Sequence, residues 1–188
     1  MDLSDFLAQI RGAAKNLMAA SKDSVDWYSD KVKDIVKKDP ANLFKKESTP
    51  QIGKMYLYLY DPKYKDTLPF YDAFPLVIPI EFYGNGFLGL NLHYLPPGAR
   101  AQLLAALINI AGNDSKEKTV KFNVSYDLLR KYASQFPGAN VCVKRYLFSN
   151  VRSSFHYIEP ENWEKVVTMP LQQFKVNSNK RYAGSPPY

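Results

Sequence analysis

Leu3, Phe6, Leu7, Ile10, Ala14, Leu17 and Met18 recur at spacings of three and four, which places them on one side of a helix over residues 1–20. Ser4 or Asp2 is positioned to cap its start. A second helix is expected from about Ser24 to Lys38, with Val25, Tyr28, Val32, Ile35 and Val36 on one face. Asp39-Pro40 stops it, because the residue before a proline disfavours the helical region. The two helices read as an arm that packs back on a body or grips another subunit. Lys45 to Pro50 has the composition of a linker.

From Gly53 the period changes from helical to alternating. Met55 to Tyr60 predicts a strand with Tyr56, Tyr58 and Tyr60 on one face and Met55, Leu57 and Leu59 on the other. The run Leu76 to Ile80 contains Pro79, which cannot donate to a sheet ladder, so an edge strand or a bulge is expected there. Tyr83-Gly-Asn-Gly-Phe87 is a hairpin signal, and Phe87 to Tyr94 is the returning strand. After Pro96-Pro97-Gly98 an Ala- and Leu-rich helix is expected over about 99–110, ended by Gly112-Asn113. Lys118 to Val124 reads as a strand and Ser125 to Ser134 as a helix. Asn140 to Phe155 is read as a further helix, with Val143, Leu147, Phe148, Val151 and Phe155 as its apolar stripe. On that helix Arg145, Ser149 and Arg152 share one border of the stripe. A short helix through Trp163, Val166 and Val167 ends at Pro170.

These elements predict an α+β fold, a small mainly antiparallel sheet with packed helices, preceded by an N-terminal helical arm. The division is an arm over 1–48, an α+β body over 49–175 and an extended C-terminal tail over 176–188.

Composition and charge change the picture in four places. Tyrosine and phenylalanine are abundant, at 14 and 11 residues, which suits either a Tyr-rich sheet face or a surface later covered by a partner. Cys142 is the only cysteine, which excludes an intramolecular disulfide and a site built from several cysteines. Asp2 and Asp5 stand where a secretory signal would be cationic, and no apolar run is long enough to span a bilayer. Synthesis in a reducing cytoplasm, with no membrane partner, is the expectation. Net charge is +7, and residues 116–152 hold eight Lys/Arg against two Asp/Glu. Such a local surplus is a candidate footprint for a polyanion or an ordinary solvated face.

Catalytic patterns are sparse. His93 and His156 are the only histidines and have no metal-ligand spacing. Gly84-Asn-Gly-Phe-Leu-Gly89 matches a dinucleotide fingerprint by letter count but leads into a strand instead of a helix. Asp61, Asp66 and Asp72 lie in a Pro-rich loop where carboxylates ordinarily bind turn N–H groups. With Lys63 or Lys65 they are the residual basis for a nuclease reading. No catalytic residue, metal or cofactor is expected. The remaining chemistry is recognition: Arg130, Lys131, Lys144, Arg145, Ser149 and Arg152 are candidate phosphate contacts. Tyr132, Tyr146, Phe148 and Tyr157 are candidates to stack on frayed bases or are core. The arginines alternatively pair with Asp127 or Glu159.

Several whole segments carry a resemblance: Met55 to Lys63, Leu68 to Pro79, Gly86 to Pro96 and Val143 to Ser153. They resemble the DNA end protector family of virion proteins from T4-like tailed phages and cyanophages. The similarity covers roughly residues 50–175 and leaves the N-terminal helices and the tail outside. It implies a non-enzymatic virion protein at the end of the packaged genome near the head–tail junction, protecting that end from exonuclease. Its implied partners are a double-stranded DNA end and other phage virion proteins of the neck or tail, with a homo-oligomer possible. The rival is a structural adaptor of the neck, tail or baseplate that contacts only proteins, favoured by the helical arm, the Pro79 edge and the Tyr face.

Overall fold

Strict alternation of aliphatic and aromatic residues in Met55 to Tyr60 gives this sheet two buried faces, because successive side chains on a strand point to opposite sides. The computed structural model describes residues 17–36, 46–47, 49–67, 70–104, 142–169 and 175–176. Its strands are β1 (Lys46–Glu47), β2 (Met55–Leu57), β3 (Phe70–Tyr71), β4 (Leu76–Tyr83), β5 (Gly86–Asn91), β6 (Val143–Leu147), β7 (Phe155–Ile158) and β8 (Lys175–Val176). Six form one antiparallel sheet in the order β1-β7-β2-β4-β5-β6, and β3 pairs with β8. With helices packed against that sheet, the fold is α+β, as expected.

Met55, Leu57, Leu76, Ile78, Leu90 and Leu92 belong to an aliphatic core on one face. Tyr56, Tyr58, Tyr60, Val77, Phe87, Tyr146 and Phe155 form a second, aromatic cluster on the other. The tyrosine face of 56–60 is therefore interior, and its place among surfaces that suit a protein adaptor is withdrawn. Rings there meet edge to face, Tyr58 to Tyr146 at 5.7 Å and Tyr60 to Tyr146 at 5.1 Å, the geometry that aromatic quadrupoles favour.

One helix, Leu17–Val36, runs through the junction expected between two. Nothing in Ser21-Lys-Asp-Ser24 stops a helix, and Ser24 bonds Thr168 across 2.6 Å instead of capping. The helix lies on the aliphatic face, with Ile35 buried and the Tyr28 hydroxyl donating to the Phe74 carbonyl. Val25 and Val36, expected on the packed face, are exposed. The short helix Trp163–Thr168 packs beside it. The expected helix after Pro96 is described over 97–104. The residues expected to form its end, the strand at 118–124 and the helix at 125–134 lie outside the described residues, as do most of 1–20 and the tail.

Three further expectations are corrected. Lys46–Glu47, read as linker, pairs with His156 and Phe155 as the outer strand of the sheet. Pro79 lies in β4, between β2 and β5, and not at an edge. The β2 ladder runs only from Leu57 to Tyr56 opposite Leu76 and Val77, so at Pro79 no ladder donor is required on that side. A register shift between Pro79 and Glu81 supplies the expected bulge. The largest correction is at 140–155: Val143–Leu147 is strand β6, Phe148–Asn150 a 3-10 turn and Phe155–Ile158 strand β7. No helical border joins Arg145, Ser149 and Arg152.

Candidate functional site

β6 is an edge strand of the six-stranded sheet among the described residues. Its cross-strand partners fix which way each side chain points: Tyr146 lies opposite Phe87 and Lys144 opposite Gly89, whereas Arg145 lies opposite Leu88. Lys144 and Tyr146 thus face the aromatic side and Arg145 the aliphatic side. Gly86 lets β5 come this close, since a Cβ there would sit 2.0 Å from the Tyr146 carbonyl oxygen.

Beside β6 opens a cavity of about 440 Å³. Tyrosines 60, 64, 71, 94 and 146 contribute to its lining, with Lys63, Lys144 and Arg145 as its cations and Asp72 and Asn91 among its polar groups. The Lys144 ammonium stands 4.5 Å from the centre of the Tyr94 ring, and Lys63 stands 5.2 Å from that of Tyr64. Such cation–π contacts hold a charge in place without neutralising it. Burial lowers the pKa of half-buried Lys144, and burial raises that of the Tyr94 hydroxyl. Arg145 donates to Asn85 Oδ1 at 3.0 Å and lies 5.5 Å from the Tyr83 ring centre. Its alternative pairing with Glu159 is not observed; Asp127 is outside the described residues.

Asp72 and Asn91 are tied into one hydrogen-bonded cluster. Asp72 Oδ1 accepts from the Phe74 N–H at 3.0 Å, and Oδ2 accepts from the Asn91 amide at 2.9 Å. His93 Nδ1 lies 2.6 Å from the same Oδ2, and the Asn91 amide also donates to the Tyr146 hydroxyl at 3.1 Å. Asn91 caps the 3-10 turn Leu92–Tyr94, so the strand expected to reach Tyr94 ends at Asn91. His93, expected on a strand, is buried in this turn, and His156, expected beyond a helix, lies in β7.

Arg152 is brought to a neighbouring loop, not to Arg145. The carbonyl of Asn150 accepts from Asp61, and Arg152 N donates to Leu59 O, which lays 150–152 along 59–61. There Arg152 lies 3.6 Å from Asp61, whose other oxygen accepts from Lys65 at 2.8 Å. The Lys65 hydrogen bond holds the Asp61 carboxyl below its usual range. Asp61 and Asp72 are thus engaged separately, and no group of three or more metal-ligating side chains occurs among the described residues. Ser149 is exposed on the 3-10 turn and donates to Asn150 Oδ1 at 2.8 Å. Phe148, expected on an apolar helical stripe, is half exposed beside Phe82, with ring centroids 6.4 Å apart. Arg130, Lys131 and Tyr132 lie outside the described residues.

Lys144 and Arg145 are the expected site residues that the fold brings to the cavity. Lys63 and Tyr64 were missed as binding groups because a loop of mixed charge carries no periodic signal. The Tyr-Asp-Pro-Lys-Tyr order at 60–64 was the available hint, since it interleaves rings with a cation.

Over residues 2–186 the chain matches the family described as phage T4 terminal DNA protecting protein. The match takes in the N-terminal residues and nearly all of the tail, which the segment resemblance left outside. No curated protein and no solved structure matches the chain. The chain belongs to that family.

Proposed function

We propose that this member of the phage T4 terminal DNA protecting protein family binds the end of a double-stranded DNA and shields it without catalysis, through the basic rim beside β6. One observation carries the reading at the level of residues. Lys63, Lys144 and Arg145 surround the tyrosine-lined cavity, and none has a carboxylate partner among the described residues. Cations held on rings and amides, with charge left over, are suited to phosphate oxygens. Arg152 and Lys65 share Asp61 and add a smaller surplus next to the rim. Ser149, Arg130 and Lys131 complete the proposed set of contacts. On this reading the protein sits in the virion at the end of the packaged genome, near the head–tail junction, and meets neck or tail proteins there.

A gel shift comparing linear blunt duplex with covalently closed circular DNA of the same length tests the reading. Preferential retention of the linear form, and protection of it from an added exonuclease, are expected. Each phosphate contact contributes about 0.9 to the slope of log affinity against log salt. The double variant Lys144→Ala, Arg145→Ala is therefore expected to reduce that slope by about 2. Equal retention of both forms would reduce the protein to a general duplex binder.

Phe82, Tyr83 and Phe148 form a half-exposed aromatic patch around the β4–β5 hairpin, and this favours a second reading, an adaptor of the neck, tail or baseplate. Absence of binding to either DNA in the same assay selects it.

A further inference from the structure

The flank of a duplex presents the same rows of phosphates along its whole length. Cations at a rim therefore attract DNA without distinguishing an end from an interior. What an end offers in addition is a base pair stacked on one side only. Unpairing its nucleotide gives up one stacking step, whereas extracting an interior nucleotide gives up two and requires a backbone rotation. A protein that takes hold of one unpaired nucleotide thus selects ends by the cost of extraction.

The cavity beside β6 has the features that such a nucleotide requires. Its volume of about 440 Å³ lies in the range of roughly 300–1,000 Å³ usual for small-molecule sites, which suits one nucleotide and excludes a duplex. Tyr64 and Tyr71 are ring walls not closed over by the aromatic core, and Tyr64 is 61% exposed. Charge sets the orientation. Asp72, 8% exposed and engaged by Phe74 N, the Asn91 amide and His93 Nδ1, places a fixed carboxylate among the lining groups. It repels a phosphate and accepts from an exocyclic amine, while Lys63 and Lys144 attract the phosphate.

We propose that this cavity receives the terminal nucleotide of one DNA strand, unpaired from its complement, with the base against the tyrosines and the phosphate at the two lysines. The inference rests on the DNA-end reading and gives it a means of recognising an end.

The test uses the full chain and duplexes closed at one end by a hairpin loop. The open end is a matched pair, a mismatch, or a pair covalently cross-linked between strands. Wild-type protein is expected to bind the mismatched end several-fold more tightly than the matched one, and the cross-linked end most weakly. Tyr64→Ala is expected to weaken binding about 5- to 160-fold, the usual worth of one stacked base. It should also erase the ranking of the three ends, with the salt slope unchanged, and Tyr64→Phe should restore both. Preference for linear over circular DNA combined with equal affinity for all three ends overturns the inference and leaves the end-binding reading standing. A ranking that survives in Tyr64→Ala also overturns it. Loss of the linear preference itself refutes the end-binding reading, and the inference with it.

Discussion

Lys144 has its ammonium on the Tyr94 ring, has no carboxylate partner among the described residues and is half-buried, and burial lowers its pKa. A cation in that position costs the fold more than it contributes, because its desolvation is not offset by an opposite charge. Lys144→Met is therefore expected to leave stability unchanged or to raise it by about 1 kcal/mol in urea unfolding, while lowering DNA affinity. A variant that loses stability and binding together would make Lys144 a structural residue. Sequence alone identified this lysine as basic. It did not show that Lys144 and Arg145 point to opposite faces, since that depends on a strand where a helix was expected.

The mistaken helix at 140–155 has a definite physical origin. Val143, Leu147, Val151 and Phe155 are spaced by four, and four is compatible with a helical period near 3.6 and also with a strand period of two. The β-branched and aromatic composition favoured the strand. Met55 to Tyr60 alternates aliphatic with aromatic residues, and the strand read there is correct for Met55–Leu57 but stops before Tyr58, with Tyr60 left in an isolated bridge to Val151. The β5–β6 pairing depends on Gly86, whose added Cβ would meet backbone, the Tyr146 carbonyl, and not a movable side-chain tip. Gly86→Ala is expected to destabilise by roughly 1–3 kcal/mol, with loss of amide-exchange protection in β6. Gly84, one turn residue away with open space around it, should tolerate alanine within about 0.5 kcal/mol. Similar losses from both glycines would remove the close approach as the cause.

At the scale of the molecule, the buried tyrosines make stability depend on alkaline pH. Burial raises the pKa of Tyr58, Tyr60, Tyr94 and Tyr146 above the ordinary tyrosine value. Above pH ~10 the unfolded chain loses phenolic protons that the folded one retains, so its stability falls as pH rises. That stabilisation is complete below pH ~10 and is lost as pH climbs toward the raised values. Tyrosinate absorbance of these rings should appear together with unfolding; titration of all fourteen tyrosines in a folded chain at their ordinary pKa would contradict the buried cluster.

The strand order β1-β7-β2 places a segment ending at Ile158 between two that end at Glu47 and Leu57. On a ribosome the last 100 or so residues up to Ile158 take about 5–20 s to be made, and until they arrive β1 and β2 lack their shared neighbour. Met55 to Leu57, apolar on both sides, spends that interval with one ladder edge unmatched. Translation speed and chaperone access during those seconds should therefore govern the yield of this protein in an infected cell.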